Sequence, residues 1–436
     1  MKRIIQTELL KWKNSNNRKP LLIKGARQVG KTYALLEFGK IHYDNTIYLN
    51  FEGDRDNLTK IFSKDLDPKR IILEIASYIK QSISEANTLL VFDEIQACEE
   101  ALTSLKYFYE EAPQYNIIAA GSLLGLSINR GNFSFPVGKV TMLTMYPMTF
   151  EEFLMNVNEN LLYNIEKCYK EMLPLNSILH EEALSLYKTY LVVGGCPAAV
   201  KAYLEYQNFN LVKAEQATIS EQYISDMAKY ANTNKTIKSI EVFNSLPSQL
   251  AKENTKFQYN LIKSKARAKE YEISLSWLKA ACVILENIKI TEGKYPINIY
   301  KQIDTFKIYY SDVGLLCYKS GIAPNEILVD SLTSDKYRGI LAENYVAEQL
   351  QANNIDLYYW ESNGTAEIDF VIQKNGSAIP IEVKSANNVK SKSLTIYTSR
   401  YNPKYSIRVS TKNFGFENSI KSIPLYAIFC IKKEEV

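Results

Sequence analysis

Gly25-Ala26-Arg27-Gln28-Val29-Gly30-Lys31-Thr32 follows the apolar run Leu21-Leu22-Ile23 and Lys24, and precedes a helical stretch beginning near Lys31. The eight residues fit G-x-x-x-x-G-K-[ST], and a strand before with a helix after is the context a phosphate-binding loop requires. Glycines at both ends let the backbone curl until its N–H groups face phosphate oxygens, and the helix N-terminus adds partial positive charge. In such a cradle Lys31 reaches the β- and γ-phosphates of ATP and the Thr32 hydroxyl ligates Mg²⁺.

A second stretch agrees with the first. Leu89-Leu90-Val91-Phe92-Asp93-Glu94 reads as a buried strand ending in two acids. Asp93 would hold Mg²⁺ through water and Glu94 would polarise an attacking water; two surface acids after a strand are the plainer reading. The strand Asn116 to Ala120 leads to Gly121-Ser122, which places Ser122 to sense the γ-phosphate or to cap a helix. Around these motifs, apolar runs at Pro20 to Lys24, Thr46 to Phe51, Thr88 to Phe92, Asn116 to Ala120 and Lys139 to Met145 read as strands. Helical stretches such as Lys31 to Phe38 and Arg70 to Ser82 separate them, the alternation of an α/β fold with a parallel sheet. The strand at Thr46 to Phe51 lies between the two motifs and implies an extra strand beside theirs.

On these residues the chain resembles AAA+-type ATPases, specifically a prokaryotic group whose phosphate loop reads GxRQxGKT and whose acidic strand end reads DEIQ. The matching residues are Gly25 to Thr32 and Asp93-Glu94-Ile95-Gln96. The group's segment of aromatics and proline is present as Phe135-Pro136-Val137-Gly138-Lys139 through Tyr146-Pro147-Met148-Thr149-Phe150-Glu151-Glu152-Phe153. Many relatives carry arginine after that glycine as a candidate trans-acting finger. Here the position is Lys139, with Arg130 as a nearby guanidinium that suits phosphate better than an ammonium does.

Near the C-terminus, Ala366-Glu367-Ile368-Asp369-Phe370-Val371-Ile372 precedes Ile379-Pro380-Ile381-Glu382-Val383-Lys384. Strand residues two apart face the same way, so Glu382 and Lys384 share a face. Asp369 could reach that face across a hairpin at Lys374-Asn375-Gly376-Ser377. Converging carboxylates bind Mg²⁺ or Mn²⁺, and a neighbouring lysine orients or activates metal-bound water, as phosphodiester hydrolysis requires. Glu343, on a helix from Ile340 to Ala352, could complete the set; a simple ion pair between Lys384 and an acid is the alternative. The pattern resembles the D…ExK signature of the PD-(D/E)XK nuclease fold, whose members include inactive binding domains.

The resemblance extends through Gly194-Gly195-Cys196-Pro197, Ile308 to Leu316 and Arg338 to Asn344, and implies four parts. These are an ATPase core at 1–150, a helical lid at 151–230, a winged-helix-like domain at 231–325 and a nuclease-like domain at 335–436. Later strands are expected at Ile284 to Ile290, Ile297 to Gln302, Phe306 to Tyr310, Leu357 to Glu361, Ala366 to Gln373, Ala378 to Lys384, Tyr405 to Ser410 and Leu425 to Ile431.

Composition narrows the rest. The 436 residues carry a net charge of +4, with 46% hydrophobic and 23% charged residues, which excludes disordered, collagenous and coiled-coil chains. Six cysteines without a CxxC pair exclude a disulfide scaffold and a zinc ribbon, and two histidines, His42 and His180, leave little for histidine chemistry. Abundant tyrosine and lysine reflect coding bias. No run reaches the ~18 apolar residues of a membrane span, and the N-terminus turns polar too soon for a signal peptide, so a cytoplasmic location is expected. Lys229 to Lys307 holds 14 Lys/Arg against 7 Asp/Glu, a net +7. Its densest part, Lys263 to Lys269, would face DNA phosphate, an acidic neighbouring subunit of a homo-oligomer, or solvent. The leading expectation is an ATPase whose nucleotide state gates a nuclease-like domain acting on DNA. The alternative is a nucleotide-dependent switch whose terminal domain binds a protein partner and cuts nothing.

Overall fold

A computed structural model describes residues 1–122, 124, 135–230, 233–252, 256–329, 334–362, 366–385 and 392–433. The chain divides into two compact units, one of residues 1–146 with 280–282, the other of 147–279 with 283–436. Among the described residues no helix is long and apolar enough to cross a membrane.

The first unit begins with helix α1 (Ile5–Lys13) and strand β1 (Leu21–Lys24), followed by α2 (Lys31–His42) and β2 (Asn45–Asn50). Helices α3 (Arg55–Ser63) and α4 (Pro68–Ile79) lead to β3 (Thr88–Asp93), α5 (Glu99–Glu111), β4 (Asn116–Gly121) and β5 (Thr141–Thr144). The five strands form one parallel sheet in the order β2-β3-β4-β1-β5. All six residues of β3 and all six of β4 are buried, as expected for central parallel strands covered on both faces. The expected strand between the two motifs in sequence, β2, lies outside β3; β4 is the strand inserted between β1 and β3.

Helix α5 shows why one face of this sheet is closed. Ala101, Leu102, Leu105 and Phe108 recur at helical spacing and are buried with Leu90, Phe92, Ile117 and Ala119 of the sheet. Phe51, Phe62 and Phe92 form a mutual cluster with ring centroids 5.5–5.9 Å apart, joining β3 to α3 and the end of β2. Helix α4 starts cleanly because Asp67 accepts from the Lys69 N–H and Pro68 fills the first turn.

The second unit opens with five helices, α6 (Phe150–Val157), α7 (Glu159–Glu171), α8 (Ser177–Val193), α9 (Pro197–Tyr206) and α10 (Phe209–Tyr230). Thr149 and Glu152 close a reciprocal capping box at the start of α6. Helices α11 (Thr233–Leu250) and α12 (Ala268–Ala280) precede the antiparallel pair β6 (Ile284–Ile290) and β7 (Lys301–Tyr310), then α13 (Val313–Ser320), α14 (Pro324–Leu328) and α15 (Asp335–Ala352). The last stretch holds β8 (Tyr358–Glu361), β9 (Glu367–Ile368), β10 (Phe370–Lys374), β11 (Ser377–Val383), α16 (Lys392–Tyr401), β12 (Ser406–Ser410), β13 (Gly415–Glu417) and β14 (Ile420–Pro424). These strands belong to two sheets, β10-β11-β12-β14-β13 and β7-β6-β8-β9. The second sheet runs across residues 325–335, where the sequence suggests a domain boundary, because β6 pairs in parallel with β8.

Three local expectations change. Leu425–Cys430 is a buried 3₁₀ helix rather than a strand, since an apolar run on all sides carries no period to tell the two apart. Residues 297–300 form a 3₁₀ turn, and the strand starts at Lys301. The single strand expected at Ala366 to Gln373 breaks at Asp369, whose carbonyl accepts from the Asn287 side-chain amide at 3.0 Å. β13 and β14 are short strands outside those the alternation predicts.

The Gly194-Gly195 and Asp312 landmarks meet. Asp312 accepts from the Gly195 N–H at 2.7 Å and from the Leu315 N–H at 2.8 Å, capping α13 while holding the α8–α9 turn. Gly194 (φ +73°) and Gly195 tolerate no Cβ there, which would lie 2.2 Å from Asp312 Oδ1 and 2.0 Å from the Met148 carbonyl oxygen respectively. Asp312→Ala leaves two buried N–H groups unpaired and is expected to cost about 2–4 kcal/mol. Urea denaturation checks this; an unchanged midpoint would remove Asp312 as the tie.

Candidate functional site

The phosphate loop connects β1 to α2 through backbone conformations that few residues accept. Gly25 has φ +156°, and a Cβ on it would sit 2.1 Å from the Met145 carbonyl oxygen of the adjoining strand end. Gly30 (φ +88°) starts α2 in the left-handed region, and Gln28 (φ 65°) enters it without being glycine, a strained conformation of the kind kept at binding loops. Arg3 braces the loop from below, donating to the Val29 carbonyl at 2.8 Å and to the Tyr146 carbonyl at 2.9 Å. Arg27 pairs with Glu52 at 3.1 Å.

Lys31 is 7% exposed and its ammonium donates to the Gly25 and Ala26 carbonyls, at 2.8 and 2.7 Å. Burial lowers its pKa below the ordinary lysine value, while the charges of Glu94 and Asp93 pull the other way. The ammonium thus rests on the loop's own oxygens, which a phosphate entering the cradle would replace. Thr32 Oγ1 donates to Asp93 Oδ2 at 2.7 Å, so the hydroxyl and the carboxylate proposed for Mg²⁺ already face each other. Oxygen ligands of this kind, few from protein and the remainder from water and phosphate, suit Mg²⁺. Tyr48 donates to the same Asp93 oxygen at 2.8 Å, and Asp93 Oδ1 accepts from the Glu94 N–H at 3.0 Å.

Glu94 has φ +50°, and its Oε2 accepts from Gln96 at 2.6 Å and from Ser122 at 3.4 Å. Ser122 therefore joins the acid of the neighbouring strand. Arg130, and the residues on which a capping role for Ser122 depends, lie outside the described residues. Lys139 is tied elsewhere: its ammonium pairs with Glu110 of α5 at 2.9 Å and lies 5.5 Å from the Tyr109 ring.

The C-terminal carboxylates are held differently. Asp369 is half-buried and accepts from the Val383 N–H at 2.7 Å; burial first, then the Glu343 charge, push its carboxyl up to about 8. Glu382 pairs with Lys384 at 2.9 Å through one oxygen, while its second oxygen is buried without a hydrogen-bond partner. Burial alone would lower Lys384, yet the hydrogen bond and charge of Glu382 outweigh it and raise the ammonium's pKa. Glu343 accepts from Lys307 at 2.9 Å and from the Tyr309 hydroxyl at 2.5 Å. Among the described residues no group of three or more His, Cys, Asp and Glu side chains is placed to hold a metal ion. The expected ligand set Glu343, Asp369 and Glu382 is thus interleaved with lysines.

Sequence reasoning passed over Arg3, Tyr48 and Lys307. Lys307 had a usable signal: it sits in the strand Phe306-Lys307-Ile308-Tyr309, where period two places it on the Tyr309 face. Arg3 and Tyr48 carry none, since only the tertiary fold brings them to the loop and to Asp93. In the basic segment, Lys238, Lys256, Lys279, Lys289, Lys294 and Lys307 pair with acids, while Lys263, Lys265, Arg267 and Lys269 form an exposed cluster.

A family described as an AAA domain matches residues 17–154, and two domains of unknown function match residues 184–326 and 338–428. No curated protein matches the chain. Similar solved structures include the Walker-type ATPase PABY2304 of Pyrococcus abyssi, at 14% identity over 73% of this chain and 95% of that one, with a TM-score of 0.43. The ORC1 protein of Aeropyrum pernix in complex with DNA is 12% identical over 73% of this chain and 90% of that one, with a TM-score of 0.28. AMPPCP-bound DnaA from Aquifex aeolicus is 14% identical over 63% of this chain and 85% of that one, again at 0.28. Likeness at this level carries no weight for function. The N-terminal domain is an AAA+-type P-loop ATPase domain, on its family match and its parallel sheet with flanking helices.

Gly25→Ala is expected to weaken binding of a fluorescent ATP analogue by ~tenfold or more, equivalent to ~1.4 kcal/mol. Unchanged affinity would show that the close approach to Met145 does not shape the loop.

Proposed function

We propose that the chain is an ATP-hydrolysing, AAA+-like switch whose nucleotide state controls its C-terminal half. The observation that carries this is the Thr32–Asp93 hydrogen bond beside the buried Lys31 of the loop, with Glu94 held by Gln96 and Ser122. In this reading the backbone of Gly25 to Thr32 and Lys31 cradle the phosphates. Thr32 and Asp93 carry Mg²⁺, Glu94 orients the attacking water, and Ser122 registers the γ-phosphate through Glu94.

Residues 335–436 are assigned a nuclease-like topology, supported by the order α15, β8, β9/β10, β11, α16, β12 and by the parallel pairing of β11 with β12. Residues 231–325 are read as winged-helix-like, supported by helices α11 and α12 followed by the β6–β7 hairpin. The exposed group Lys263, Lys265, Arg267 and Lys269 supports contact with nucleic-acid phosphate. Whether the terminal domain cuts or only binds divides two readings. The Glu382–Lys384 pair beside Asp369 favours metal-dependent cleavage of DNA; the lysines among the carboxylates favour a binding domain, and we adopt the latter.

Lys31→Ala is expected to abolish ATP turnover; turnover at the wild-type rate would remove the assigned site. Glu94→Gln should retain ATP binding while lowering kcat by roughly 10²–10⁴, the range of a general base. Labelled single- and double-stranded DNA, incubated with Mg²⁺ or Mn²⁺ with and without ATP, should stay intact. Cleavage by the wild type that disappears in Lys384→Ala would replace the binding reading with the nuclease one.

A further inference from the structure

The carboxylate cluster of the C-terminal half already contains a cation. Lys307 enters it from β7 with 1% of its side chain exposed, and its ammonium pairs with Glu343 of α15 and Glu367 of β9. The same ammonium lies 5.1 Å from the centroid of the Tyr359 ring. Glu343 is fixed from a second side by the Tyr309 hydroxyl, two residues along the strand that carries Lys307.

A divalent ion would have to compete with this arrangement. Mg²⁺ and Mn²⁺ take about six oxygen ligands, one or two of them carboxylates free to turn toward the metal and the rest water or phosphate. Here Glu343 and Glu367 are committed to Lys307, Asp369 to the Val383 N–H, and one oxygen of Glu382 to Lys384. Each of these bonds engages one carboxylate oxygen, and Glu382 Oε2 is buried without a partner; what stands against a metal is the ammonium already seated between Glu343 and Glu367. The residues present therefore do not fit a metal in the manner the sequence suggests.

We infer that Lys307 is the resident cation of this cluster, its ammonium neutralising Glu343 and Glu367 in place of a divalent metal. The inference builds on the nuclease-like reading only in treating Glu343, Asp369 and Glu382 as the ligand set, and it is independent of the ATPase reading. It assigns the cluster to metal-free charge neutralisation, and the terminal domain to binding that chelators do not disturb.

The test is Mn²⁺ titration of the full chain without nucleotide, followed by electron paramagnetic resonance. Asp93→Asn is present throughout to silence the N-terminal ligands. With Lys307 in place, no ion is expected to bind up to ~1 mM, the weak end of oxygen-ligated sites. Adding Lys307→Met should create a Mn²⁺ site and a Tm that Mn²⁺ raises. Binding to the Lys307-bearing chain that disappears on Glu343→Gln would overturn the inference, as would a folded Lys307→Met that binds no Mn²⁺. Should Lys307→Met prove insoluble, Lys307→Met with Glu343→Gln removes one charge of each sign. Recovery of folded protein supports the inference; no recovery overturns it. ATP turnover of the otherwise wild-type chain and of its Lys307→Met variant, measured alongside, reports separately on the N-terminal site.

Discussion

Everything in the N-terminal site depends on bridging one intervening strand. β4 lies between β1, which delivers the phosphate loop, and β3, which delivers the acids. Two inter-strand spacings put the strand ends roughly 10 Å apart. The Thr32–Asp93 hydrogen bond spans that gap because the loop and the first turn of α2 carry Thr32 back over the end of β4. Gly25 and Gly30 supply the conformations that make the turn, and Arg3 fixes its underside. The inserted strand contributes in return, since Ser122 at its end reaches Glu94. Catalytic geometry here is a consequence of strand order.

The parts legible in the sequence are those whose cause is local. The run Leu89 to Phe92 is apolar at every position because β3 is covered on both faces, and the glycines of the loop declare a backbone that other residues resist. What stayed hidden has distant causes. Leu425 to Cys430 is apolar throughout because it is enclosed, and its 3₁₀ form is fixed by partners such as Asn353, which donates to the Phe429 and Ile431 carbonyls. The strand around Asp369 looks continuous by alternation, yet Asn287, 82 residues earlier, captures the Asp369 carbonyl and splits it. At the candidate C-terminal site, the D…ExK spacing points to carboxylates on neighbouring strands, but says nothing of which cation sits among them.

The second unit also shows how buried charge is accommodated. Asp312 and Glu348 are both enclosed, and burial raises both carboxyls above their ordinary range. Each is spent on backbone donors, Asp312 on Gly195 and Leu315, Glu348 on the Val313 N–H at 2.7 Å. The polar groups thus specify how α8, α13 and α15 meet, while the surrounding Tyr190, Tyr345 and Phe150 rings supply the apolar area. Removing either acid would leave N–H groups stranded where water cannot reach them.

The break at Asp369 sets an order of events during synthesis. β6 and β7 can pair as a hairpin as soon as they emerge, but the other edge of β6 is completed by β8. Asn287 in turn waits for the carbonyl of Asp369. At ribosomal speeds of about 5–20 residues per second, those 82 residues take roughly 4–16 s to arrive. Until β8 follows, the nascent chain presents an unpaired strand edge, the surface on which neighbouring polypeptides or chaperones act.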